Sequence, residues 1–226
     1  MKNLINIVHS SKLKLFLILF ILFALYIFIS ATSYADTVSN NISNSVFRLH
    51  VLANSDSKED QELKYLVRDK LLEYMNSLSI NMSSKEEIIQ IVNDHQEDFK
   101  KISLETIKEN GFDYNVNISI DSSYFPTKTY GDISLPAGVY DALKVEIGNS
   151  EGKNWWCVMF PPLCFVDIST GIVPDDSKEI IKNSLTDEEF SLVNSGLSDS
   201  SYEDTISFKF KLIELLNSSK QLSAKN

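Results

Sequence analysis

From Leu15 to Ile29 the chain carries fifteen residues without a single charge. Such a run cannot face water on a folded domain, so it constrains everything that follows. It lies behind Lys2, Lys12 and Lys14 and ahead of Ser33-Tyr34-Ala35. A basic start, an apolar stretch and small residues two apart describe a secretory signal peptide, with cleavage expected between Ala35 and Asp36. The alternative is an uncleaved anchor: extended by Leu13 and Ala31, the run approaches the roughly 17–25 residues that span a bilayer. Both readings put the rest of the chain on the outer side of a membrane.

Residues 1–35 hold three Lys and no acid, which leaves 18 basic against 31 acidic residues and a net charge of −13 downstream. That balance disfavours nucleic acid, whose phosphates need Lys and Arg, and tight docking on anionic lipid. The remaining length suits one domain with its own core. We expect a Ser- and Asn-rich tether over 36–45, a domain over 46–216 and a flexible tail over 217–226.

Residues 46–53 alternate as a strand, with Phe47, Leu49, Val51 and Ala53 on an apolar face and Val46, Arg48, His50 and Leu52 on a mixed one. Asp56 or Ser57 can cap a following helix whose stripe is Leu63, Leu66, Val67, Leu71, Tyr74 and Leu78. A second helix starts near Ser83 or Ser84 and ends at Gly111. Its stripe is Ile88, Ile91, Val92, His95, Phe99, Ile102 and Thr106. The period then becomes two, at Tyr114, Val116, Ile118 and Ile120, at Leu143, Val145 and Ile147, and at Trp155–Phe160 before Pro161-Pro162. Short helices are expected over Ser177–Asn183 and Thr186–Asn194, the second with a Thr186/Glu189 capping box, and a last strand at Phe208, Phe210 and Leu212. The sum is an α+β single domain, a mostly antiparallel sheet packed against two long helices.

Arg48, His50 and Asn54 share the mixed face of the first strand, and Asp56 and Asp60 lie where it feeds a helix. A functional reading makes Arg48 a carboxylate clamp and His50 a hydrogen-bond partner or proton carrier. A structural reading makes them a buried network with Asp60 or Asp69 paired to Arg48. A secreted hydrolase acting on wall peptides, with His50 as base oriented by Asp56 or Asp60, would need a nucleophile or metal that the sequence does not display. No Gly-x-Ser-x-Gly, His-Glu-x-x-His or phosphate loop occurs, and Asp167–Gly171 is not a contiguous Asp-Thr-Gly. His9 falls in the leader, and His95 reads as a packed histidine, so neither catalysis, metal nor any other cofactor is expected.

Cys157 and Cys164 are the two cysteines. An oxidising location permits a disulfide if the chain doubles back at the prolines, and a pair of buried thiols is the alternative. Trp155 and Trp156 face opposite ways in a strand, so one of them is a candidate anchor for another protein.

Three stretches together resemble one family. They are Arg48-Leu-His-Val-Leu-Ala-Asn-Ser-Asp-Ser57 with Glu59-Asp60-Gln61 and Val67-Arg68-Asp69, Leu135-Pro-Ala-Gly-Val-Tyr-Asp-Ala-Leu143, and Asn154-Trp-Trp-Cys-Val-Met-Phe-Pro-Pro-Leu-Cys-Phe-Val-Asp167. In this order, across residues 45 to 170, they resemble the stage II sporulation protein R family of endospore-forming bacteria. The resemblance implies an exported signalling protein with no catalytic activity of its own. It would be made in the forespore and pass into the space between the two membranes of the sporangium. There it would trigger a membrane-embedded aspartic peptidase that processes the pro-form of the mother-cell sigma factor, sigma-E. Arg48, His50, Asn54, Asp56, Trp155 and Trp156 are the residues expected to touch that partner.

Overall fold

The apolar run is helical. In the computed structural model, which describes residues 11–78, 84–164 and 173–194, helix α1 covers Ser11–Ser45. Among the described residues it is the one helix long and apolar enough to cross a bilayer, and its large side chains from Leu15 to Ile29 are exposed. In lipid a helix satisfies every backbone group internally, which is why this segment needs no partner strands. Ala35 and Asp36 lie inside the helix. The chain divides into two units, residues 1–39 and 40–226.

The last turns of α1 belong to the second unit. There Ile42 is fully buried and Asn41 donates to Glu189 Oε1 at 2.6 Å. Residues 36–45, expected as a tether, are therefore helical throughout.

The second unit is built on a sheet of four strands in the order β2 (Val116–Phe125), β5 (Gly138–Ile147), β1 (Phe47–Leu52), β6 (Asn154–Phe160). β2–β5 and β1–β6 are antiparallel, whereas β1 and β5 run parallel, Leu49 beside Leu143 and Val51 beside Val145. β1 is central, paired along both edges, and both of its faces are buried. One face (Phe47, Leu49, Val51) joins Leu143, Val145 and Cys157 beneath the helices.

The helical layer is α2 (Lys58–Leu78), α3 (Lys85–Asp94) and α4 (Gln96–Glu109). Ser57 caps α2 by accepting from Asp60 N at 3.2 Å, and Ser84 caps α3 through Glu87 N. The buried stripe of α2 is Leu63, Lys64, Val67, Leu71, Leu72 and Met75. Leu66 is 43% exposed, so the expected stripe was rotated by about one residue there.

The single helix expected over 84–110 is two. It breaks at His95, whose Nδ1 lies 2.9 Å from both Tyr74 Oη and Asp98 Oδ2. The ring, tied to α2 and to the carboxylate three residues ahead, sits at the break; it packs edge-on against Tyr74 as a histidine with one nitrogen satisfied, though about a third of it is exposed.

A small hairpin, β3 (Lys128–Tyr130) and β4 (Ile133–Leu135), turns at Gly131 with φ +57°. Helices α5 (Asp175–Ser184) and α6 (Asp187–Val193) follow, α6 with the Thr186/Glu189 capping box. The strand expected at 208–212, the tail at 217–226 and Asp167–Gly171 lie outside the described residues. The fold is α+β, a mixed sheet with helices.

Candidate functional site

The sheet face turned away from α2–α4 carries Arg48 and His50 of β1, Tyr140 and Lys144 of β5, Phe125 of β2 and Trp156 of β6. Alternation along each strand puts them there: β1 alternates apolar and polar, so burying Leu49 against the helices sends Arg48 and His50 to the other side.

Arg48 is 0% exposed. Its guanidinium lies over the Phe125 ring at 4.1 Å and the Tyr140 ring at 4.7 Å, favourable cation–π contacts that strengthen when water is excluded. Nη2 donates to Tyr130 Oη at 2.8 Å, and Nε reaches the Cys157 carbonyl at 3.4 Å. Nη1 is buried without a hydrogen-bond partner among the described residues. Burial pushes the Tyr140 hydroxyl up, keeping it a neutral donor to the Pro136 carbonyl at 2.6 Å.

His50 is 8% exposed. Burial holds its pKa below the ordinary histidine value, with Lys144 and Arg48 acting the same way against the Asn154 bond and Glu146. The ring is therefore neutral at neutral pH. Its Nε2 lies 2.7 Å from Asn154 Oδ1, which places the proton on Nε2 and leaves Nδ1 a bare, buried acceptor. Trp156 stacks on His50 at 5.9 Å and 20°, its Nε1 also buried and unbonded. Lys128 stands 5.2 Å over the Trp156 ring, and Lys144 pairs with Glu146 at 2.6 Å.

The remaining expected residues form a second, separate cluster after β1. Asn54 Nδ2 and Ser55 Oγ donate to Asp60 Oδ2 at 2.8 and 2.6 Å, while Asn54 Oδ1 accepts from Asn149 N at 2.9 Å. Burial raises the Asp60 pKa, but bonds from Ser55, Asn54, Tyr114 and Ser57 outweigh it and hold the carboxyl below its usual range. Asp56 accepts from Lys153 N at 2.7 Å. Gly152 closes this lock: a Cβ there would collide with the Ser55 carbonyl and Ala53. Lys64, 1% exposed, bonds Gln61 Oε1 at 2.6 Å and the Lys153 carbonyl at 3.0 Å.

Asp56 and Asp60 are thus engaged by the β1–α2 and β5–β6 loops, and the charges acting on His50 are Lys144, Glu146 and Arg48. The hydrolase constellation of His50 with Asp56 or Asp60 is not assembled. Among the described residues no group of three or more His, Cys, Asp or Glu could hold a metal.

Sequence reasoning missed Phe125, Tyr130, Tyr140 and Lys64. Lys64 had a signal, since Asp60, Lys64, Val67 and Leu71 follow one helical stripe and its two charged members required partners. The sheet register brings Phe125 and Tyr140 to Arg48 and the separate β3–β4 hairpin brings Tyr130, placements that no local pattern displays.

Trp155 faces the helices, edge-on to Tyr65 at 5.4 Å and beneath the Arg68 guanidinium at 4.4 Å. Cys157 and Cys164 are joined by a disulfide with Cα atoms 5.3 Å apart. The doubling-back it needs is made after β6, where Leu163 N and Cys164 N both donate to the Val158 carbonyl.

Residues 43–170 match the family model described as Stage II sporulation protein R, more than half of the chain. A protein of Bacillus subtilis (strain 168) bearing that name is 38% identical over 143 residues, 62% of this chain and 64% of the relative. The match therefore spans just under two thirds of that relative's length. No solved structure matches. The matched segment contains all of β1 through β6, with both clusters described above, and on that match the chain belongs to the stage II sporulation protein R family.

Proposed function

We propose that this chain is an exported signalling ligand that activates a membrane-embedded aspartic peptidase and so triggers processing of pro-sigma-E. In this reading it is made in the forespore and acts in the space between the forespore and mother-cell membranes. Family membership carries the reading. The apolar helix α1 behind its lysines supports export, by cleavage or by anchoring. The unassembled His50–Asp constellation disfavours the hydrolase alternative.

A ligand of this kind works by binding one state of its receptor better than another. A differential affinity of about 3 kcal/mol shifts the receptor's populations about 150-fold. Of the expected contact residues, Trp156 and His50 lie on the face turned away from α2–α4, beside exposed Asn154, whereas Asn54 and Asp56 are held in the loop lock.

The test is co-expression of the full chain with the peptidase and pro-sigma factor in a cell that does not sporulate. Cleavage that appears only with the chain, and fails with Trp156→Ala at equal protein level, is the expected result. Cleavage independent of the chain overturns the proposal. Loss of cleavage in the variant only through failure to accumulate removes the face from it.

A further inference from the structure

We infer that the sheet face turned away from α2–α4 binds a carboxylate carried on a peptide, with Arg48 as its cation and Trp156 Nε1 as a second donor. The inference rests on the ligand reading only in taking the occupant to be a protein. Its physical basis is an unmet need. Among the described residues, a fully buried guanidinium is met by two aromatic faces, a phenol and a long bond to a carbonyl, and by no carboxylate. Buried charges are ordinarily paired, and a buried donor left unbonded is destabilising.

Three unbonded atoms share this face: the donors Arg48 Nη1 and Trp156 Nε1, and the acceptor His50 Nδ1. Arg48 and His50 are two apart on β1, Trp156 sits opposite His50 in the β1–β6 register, and Phe125 packs on both Arg48 and His50. Two donors and one acceptor fit a carboxylate with a neighbouring peptide N–H. A simple inorganic anion offers no such N–H.

Tyr130, which holds Nη2, lies on a hairpin held by three residue pairs. Lys128 of the same hairpin adds positive charge beside Trp156 in a chain whose net charge is −10. The occupant's carboxylate replaces the Tyr130 hydroxyl as partner of the guanidinium.

The test titrates the full chain in detergent micelles with three short peptides, read by the fluorescence of its two tryptophans. One peptide has an internal Glu and an amidated end, one has Gln and a free C-terminal carboxylate, and one has Gln and an amidated end. Saturable binding of either carboxylate peptide, with none of the third, is expected, and the arm that binds names the source of the carboxylate. Arg48→Met should abolish it. Because that variant removes a buried group and can fail to fold, Tyr130→Phe provides the second arm. Freeing Nη2 should tighten binding about three- to tenfold, the worth of one hydrogen bond. Equal binding of all three peptides, binding by neither wild type nor Tyr130→Phe, or no tightening in Tyr130→Phe overturns the inference. If chain-dependent cleavage of the pro-sigma factor persists while these titrations fail, the signalling role stands and only the carboxylate site falls.

Discussion

Replacing Cys164 with alanine opens the Cys157–Cys164 loop while leaving the Cys157 thiol packed beneath the helices, opposite Leu49. The two cysteines are seven residues apart. The chain-entropy relation for a loop of that size gives about 2.4 kcal/mol of stabilisation at 25 °C. The bridge also pins the turn after β6, among the described residues an edge strand with β1 as its one neighbour in the sheet. With a urea m-value of about 2 kcal/mol per M, the unfolding midpoint should fall by about 1.2 M. The assay is urea unfolding of the full chain in micelles, followed by tryptophan fluorescence. Both tryptophans lie on β6, so the signal reports the sheet and not α1. Wild type treated with a reductant should reproduce the variant. A midpoint unchanged by either perturbation refutes the reasoning, because it would mean that the turn is held without the bridge.

Gly152→Ala should lower stability by about 1–3 kcal/mol, since its Cβ meets the backbone carbonyl of Ser55; chemical denaturation measures it. Val67→Ala, in the buried stripe of α2, should cost about 1–3 kcal/mol, whereas Leu66→Ser, two-fifths exposed, should stay within about 0.5 kcal/mol. Asp60 has its folded pKa depressed, so its contribution is fully present above the unfolded value, about 3.9, and is lost as pH falls through the folded one. Asp60→Asn should therefore be less stable at neutral pH and should flatten the acid limb of the stability–pH profile.

The elements legible in the sequence were those whose pattern is local. The alternation of 47–52, the Ser84 cap, the Thr186/Glu189 box and the Gly111 stop each depend on neighbours within one turn. The parallel pairing of β1 with β5 was not legible, because antiparallel and parallel strands share a period of two and differ only in what lies between them. Nor was the break at His95, where apolar spacing continues across the kink and a contact to Tyr74 on another helix decides the geometry. For the site, alternation placed Arg48 and His50 on one face. It could not show that Asn54 and Asp56 would be drawn into a different cluster by Asn149 and Lys153, which follow β5 far along the chain.

The sheet order sets a timetable for assembly. β1 leads the sheet in the sequence, yet its flanking strands are the last two among the described residues, so Leu49 waits for Leu143 and Cys157 before either side is filled. A polypeptide threaded through a pore from its N-terminus cannot complete this sheet until nearly the whole matched segment has emerged. Its long-range pairings make the final closure slow compared with helix formation.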